Sequence, residues 1–190
     1  MNFNEIKSNL SQKGYVVIPN ILSLEEIEYV KRIFFEWKNS IECHDKIHYQ
    51  TDPHGIYKTL EAGHQRHAWF IRTRPKVLEI FKKLWQTDEL IVSFDGSCYI
   101  PKAFQKKDNI WTHTDQAPCD SGLKCYQGLV TLTDNQERTL VVYEGSHLLH
   151  STYFEDRGIN HSKNWNLIKP EYLAEIQDKK RVLHIPRGSL

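Results

Sequence analysis

The stretch Ile110-Trp111-Thr112-His113-Thr114-Asp115 reads as a β-strand, and the run of similar segments around it decides the fold. Residues 90–94, 97–100, 124–133, 139–143 and 181–185 share its enrichment in β-branched and aromatic side chains and are bounded by Gly, Pro, Asn or Asp. Strands therefore dominate the second half of the chain. A helical N-terminal part backing a run of antiparallel strands is the pattern of an α+β domain whose sheets curl into a barrel or sandwich.

Outward from that run, the N-terminal half reads as helices. A short polar helix ends near Gly14, and Tyr15-Val16-Val17-Ile18 is a β-branched strand stopped by Pro19. Ser23 and Glu26 then have the spacing of a capping box, and Leu24, Ile27, Val30, Phe34 and Trp37 recur at helical intervals, so residues 24–38 form a helix with one buried face. Residues 43–67 are polar and rich in His, Gly and aromatics without a sustained period, which reads as a long loop of the kind that lines sites. Thr73 with Pro75 behind it opens another helix, with Val77, Ile80, Phe81, Leu84 and Trp85 as its apolar stripe. A polar insertion over 147–178 carries a helix after Pro170.

Composition narrows the function classes. With 190 residues and 39% hydrophobic content, the chain suits one domain, 1–190, with a core of its own. Lys+Arg 25 against Asp+Glu 24 gives a formal charge of +1, so no electrostatic pull toward nucleic acid is implied. No stretch approaches the roughly 18 apolar residues of a membrane span, and Met1-Asn2-Phe3-Asn4-Glu5-Ile6-Lys7 lacks the basic and apolar runs of a secretory signal, which leads to the expectation of a cytoplasmic protein. Cys43, Cys98, Cys119 and Cys125 include no Cys-x-x-Cys pair and read as free thiols rather than a disulfide framework or a zinc site.

His113 and Asp115 carry the chemistry. Alternate residues of a strand point to the same face, so the His113 Nε2 atom and an Asp115 oxygen can reach one point in space. An imidazole and a carboxylate from one strand, completed by a distant histidine, make the facial triad of non-haem Fe(II) oxygenases. The other histidines weigh less. His147 sits at a Gly145-Ser146 turn as a loop-fixing residue, His150 and His161 fall in the polar insertion as solvated side chains, and His184 alternates with Val182 and Pro186 as a core or edge histidine. His44, His48, His54, His64 and His67 are irregularly spaced and suit a loop over a pocket mouth, with Lys58, Arg66 and Arg187 as solvated cations.

Several motifs together carry a family resemblance. Gly14-Tyr15-Val16-Val17-Ile18-Pro19 followed by Leu22-Ser23-Leu24-Glu25-Glu26, then Trp111-Thr112-His113-Thr114-Asp115-Gln116, Gln127-Gly128-Leu129-Val130-Thr131-Leu132-Thr133-Asp134 and Leu140-Val141-Val142-Tyr143-Glu144-Gly145-Ser146-His147 resemble, in order, successive motifs of the phytanoyl-CoA dioxygenase family. His67-Ala68-Trp69-Phe70-Ile71-Arg72 and Val92-Ser93-Phe94-Asp95-Gly96 are similar to a subgroup of uncharacterised members. The resemblance implies a double-stranded β-helix of the jelly-roll, cupin-like kind that binds Fe(II) and 2-oxoglutarate as cosubstrate and hydroxylates a small molecule. It carries His113 and Asp115 over as metal ligands. Gln127, Leu129 and Thr131 share one strand parity, and an inward face would let Gln127 or Thr131 hydrogen-bond the oxoacid or the substrate.

The same resemblance places the third metal histidine, and the arginine that pairs with the 5-carboxylate of 2-oxoglutarate, on strands after a glycine turn. Val182-Leu183-His184-Ile185-Pro186-Arg187-Gly188-Ser189-Leu190 looks like the strand and turn before them, so the expectation is a chain shortened at its C-terminus, without its last barrel strands. Three functions follow: an Fe(II)/2-oxoglutarate dioxygenase whose competence depends on the missing strands, a non-catalytic member serving as a binding module, or a cupin-like metal-binding protein.

Overall fold

The computed structural model describes residues 2–42, 54–101 and 111–190. Helices α1 (Phe3–Lys13), α2 (Leu24–Asn39), α3 (Arg66–Arg72), α4 (Pro75–Trp85), α5 (His150–Glu155) and α6 (Pro170–Glu175) accompany short strands β1 (Ile56–Tyr57), β2 (Ser97–Cys98), β3 (His113–Thr114), β4 (Val141–Tyr143), β5 (Asn166–Leu167) and β6 (Lys180–Val182). The strands pair antiparallel as β1 with β2, β3 with β5 and β4 with β6, each a two-stranded sheet. The architecture is mixed α and β, as an α+β reading requires. None of the described helices is long and apolar enough to cross a membrane.

The described residues fall into two compact units. The first lies within Met1–Val17, Lys106–Leu129 and Thr139–His184. Its α1 begins at Asn2, whose side chain accepts from the Glu5 N–H while Glu5 reaches back to the Asn2 N–H, and it ends at Gly14 in the left-handed conformation at φ 84°. The imidazole of His147 fills the space where a Cβ on Gly14 would lie, and its Nε2–H donates to the Ser11 carbonyl at 3.1 Å. His147 thus fixes a loop, as its place in the turn implied. Tyr143, Leu173 and Ile176 form this unit's buried cluster, with Leu149, Ile168 and Tyr172 packed around it.

The second unit lies within Ile18–Gln105, Val130–Arg138 and Ile185–Leu190. The capping box at Ser23 and Glu26 starts α2, which buries Ile27, Val30, Ile33 and Phe34. Pro75 occupies the first turn of α4, where its missing N–H costs no hydrogen bond. One apolar cluster joins Ile21, Leu22, Ile27 and Val77, and another joins Phe34, Tyr57 and Ala62. The C-terminal segment threads this unit: Leu190 exchanges both backbone hydrogen bonds with Ile18 at 2.7 and 3.0 Å, and Gly188 accepts from the Ile21 N–H while donating to the Thr131 carbonyl, both at 2.7 Å.

Several strand expectations are corrected. Among the described residues, only Ile18 of Tyr15-Val16-Val17-Ile18 enters a ladder-like pair, and Pro19 beyond it has no N–H to continue one. Residues 90–94 have the composition of a strand but no ladder partner among the described residues, and Ile91, Val92 and Phe94 are exposed. Residues 124–133 are not a strand either; 123–125 and 127–129 are exposed, and backbone pairing begins at Thr131. A strand is stable only against a partner, so β-favouring composition alone does not make one. The reading of 43–67 as loop also fails at its end, since Arg66 and His67 open α3, while 43–53 lie outside the described residues. The described strands do not make up a double-stranded β-helix.

Candidate functional site

His113 lies on β3, held by the pairing of His113 with Leu167 and Thr114 with Asn166 and by an Ile168 N–H to Thr112 carbonyl bond of 2.9 Å. Asp115 follows immediately. Nε2 of His113 and Oδ1 of Asp115 are 3.6 Å apart, with the imidazole 22% and the carboxylate 53% exposed. Nδ1 of His113 lies 2.8 Å from the Trp111 carbonyl, so it carries the proton and donates there. In the neutral ring this leaves the Nε2 lone pair facing the carboxylate. That is the tautomer and the outer hydrogen bond that metal-bound histidines use.

The pair is suited to a cation. At 3.6 Å a hydrogen bond is out of reach, and two lone-pair atoms facing one another repel unless a proton or metal lies between them. With ligand bonds of about 2.1 Å, donors at right angles on one ion sit about 3 Å apart, so the pair, at 3.6 Å, would have to close by about 0.6 Å. Trp111 and Trp165 flank the His113 ring, at 4.8 and 5.3 Å between centroids. Next along the chain, the Gln116 carbonyl accepts from His150 Nε2 at 3.2 Å, and the Gln116 amide donates to the carbonyls of Asp120 and Gly122. His150 is therefore not the solvated residue its polar surroundings suggested. Among the described residues no group of three or more His, Cys, Asp or Glu is placed to hold a metal ion.

The remaining candidates separate. Gln127 is exposed. Thr131 is buried in the second unit, where its hydroxyl donates to the Pro186 carbonyl at 2.8 Å and its N–H to the Ser189 carbonyl, so its polar atoms secure the C-terminal segment. His184 is exposed, and Arg187 lies 3.8 Å from Asp134. His64 stacks on Phe94, and Arg66 donates to the Tyr29 hydroxyl. Cys119 and Cys125 are free and exposed, and Cys98 is exposed; Cys43, His44 and His48 lie outside the described residues.

His67 is the group that sequence reasoning misplaced. It is 3% exposed, its Nε2 is 2.9 Å from the Ser97 hydroxyl, and its Nδ1 has no hydrogen-bond partner among the described residues. Phe34 and Trp37 pack against its ring. Burial, and then the nearby Arg72 guanidinium, push its pKa down to about 4. Arg72 is itself tied to the Gly63 and Asp95 carbonyls. The available signal was helical spacing: His67, Ala68 and Ile71 fall on one face of a short helix, which places the imidazole inward.

The structure is an α+β chain in which an imidazole and a carboxylate, His113 and Asp115, face one another at 3.6 Å. No family model matches this chain, and no solved structure matches it. It is similar to Ava biosynthesis cluster protein O of Aspergillus versicolor, with 28% identity over 171 residues, covering 84% of this chain and 56% of that protein. The chain thus spans a little over half the length of that curated relative.

Proposed function

We propose that this chain is part of an Fe(II)/2-oxoglutarate-dependent dioxygenase of the phytanoyl-CoA dioxygenase kind, built on a double-stranded β-helix and acting on a small molecule. The observation that carries the proposal is the His113–Asp115 pair, 3.6 Å apart with the histidine tautomer set by the Trp111 carbonyl. The similarity to a protein named for a biosynthesis cluster supports a role in small-molecule chemistry. The reaction class is O₂-dependent hydroxylation coupled to decarboxylation of the oxoacid.

His113 and Asp115 are two of the three donors a facial triad needs, and the third has to come from outside the described residues. The same donor count favours a second reading, a metal-binding module of cupin-like architecture without catalysis. The two are separated by assaying the longest reading frame that contains this chain for Fe(II)-dependent succinate formation from 2-oxoglutarate. The proposal expects activity that Asp115→Ala and His113→Ala each abolish, with metal binding lost before anything else. Succinate formation undiminished in Asp115→Ala, or independent of added iron, overturns it. Stoichiometric metal binding without succinate selects the module.

A further inference from the structure

The first unit holds a cleft of about 280 Å³ beside the candidate metal pair. Trp165, Tyr153 and Phe154 supply its aromatic walls, Lys163 and Lys169 its cationic groups, and no Asp or Glu is among its described lining residues. One wall continues the β5 segment that pairs with β3, so the cleft and His113 share a ladder. Trp165 belongs to both: it lines the cleft, contacts the His113 ring and is 42% exposed. Its φ of 64° is a left-handed conformation that a bulky side chain seldom adopts, so the surrounding structure holds it there at an energetic cost. Tyr153 is fixed by the Lys169 N–H on its hydroxyl, which leaves its ring as wall.

We propose that this cleft binds a small planar organic acid, a single-ring carboxylate whose ring lies against Trp165 and whose anion is met by Lys163 and Lys169. At about 280 Å³ the cleft has room for a single ring with its carboxylate, since an apolar cavity of about 150 Å³ already holds benzene. Charge supports the acid, because every charged group of the lining is a base. Aromatic faces give apolar contact and stacking, while the lysines select the anion over its neutral analogue. As a ligand site the cleft stands on its own lining. As the substrate site of the proposed oxygenase it rests on that reading.

Calorimetric titration of the full chain without metal, using benzoate, benzamide and 2-oxoglutarate as probes, tests this. Benzoate should bind, with benzamide and 2-oxoglutarate each at least about fivefold weaker. Replacing both lysines in Lys163→Gln/Lys169→Gln should weaken benzoate about fivefold and leave benzamide unchanged. Trp165→Gly, whose backbone suits a positive φ, should weaken both ring compounds about fivefold, and Trp165→Phe should restore part of that loss. Benzamide binding as tightly as benzoate, 2-oxoglutarate binding more tightly than either, or no benzoate binding at millimolar concentration overturns the inference. Titrating the longest reading frame that contains this chain with Co(II) keeps the two proposals apart. Benzoate binding to this chain with no metal binding to that frame leaves the cleft and removes the oxygenase reading, and the opposite result does the reverse.

Discussion

Lowering the pH should destabilise the second unit through one residue, His67. Its imidazole is enclosed by Phe34 and Trp37, bonds to Ser97 and has an Nδ1 without a hydrogen-bond partner among the described residues. The folded protein therefore resists protonating it, with the pKa pushed from 6.5 to about 4. An unfolded chain takes up the proton near 6.5, so stability from this group is complete above that pH and falls as the pH drops toward 4. The gap limits the total loss to about 3 kcal/mol, of which about 2.5 kcal/mol is reached by pH 4.5. That is a large part of the 5–15 kcal/mol typical of a domain. Urea unfolding at pH 7.5 and pH 4.5 should show a loss in the wild type that exceeds the loss in His67→Gln by about 2 kcal/mol, with carboxylate effects common to both proteins. An NMR titration of the His67 ring gives an independent reading and needs no variant. A ring midpoint above 6, or equal losses in the two proteins, would refute the reasoning.

Two further outcomes follow from the second unit. Gly188 has φ 74°, and a Cβ there would lie 2.9 Å from the Leu22 carbonyl oxygen and 3.0 Å from Ile27 Cδ1, so Gly188→Ala should cost about 2 kcal/mol in chemical unfolding; a change below about 0.5 kcal/mol would count against the packing described. Ser23 accepts from the Glu26 N–H at 3.2 Å, and Ser23→Ala should cost about 1 kcal/mol, with Ser23→Asp close to neutral in the same assay.

Helix boundaries were legible because their signals are local. The Ser23–Glu26 box, Pro75 in the first turn of α4 and Gly14 after α1 each act through neighbours a few residues away. Strands were less so, because pairing depends on distant segments. Residues 90–94 and 124–133 have the residue types, yet their described parts form no strand, while β3 and β5 pair over only two residues each. At the site, the period-two argument led to His113 and Asp115, which do face one another. The tautomer lock from Trp111 was not legible, because a backbone carbonyl has no sequence signature. Nor was Trp165, whose contact with His113 comes from a polar insertion with no periodic pattern.

The threading of Ile185–Leu190 through the second unit also governs when that unit can fold. Its backbone partners, Ile18, Ile21 and Leu22 on one side and Thr131 and Asn135 on the other, are made well before the segment that joins them. Helices α2 and α4 can form as they leave the ribosome, since their hydrogen bonds are local. The apolar cluster of Ile21, Leu22, Ile27 and Val77, against which Leu190 packs, has to wait. Closing a loop of nearly the whole chain carries an entropy penalty that no local contact offsets beforehand. Until Ile185–Leu190 has left the ribosome, the nascent protein therefore presents that cluster unsealed, and chaperone dependence should be strongest in this interval.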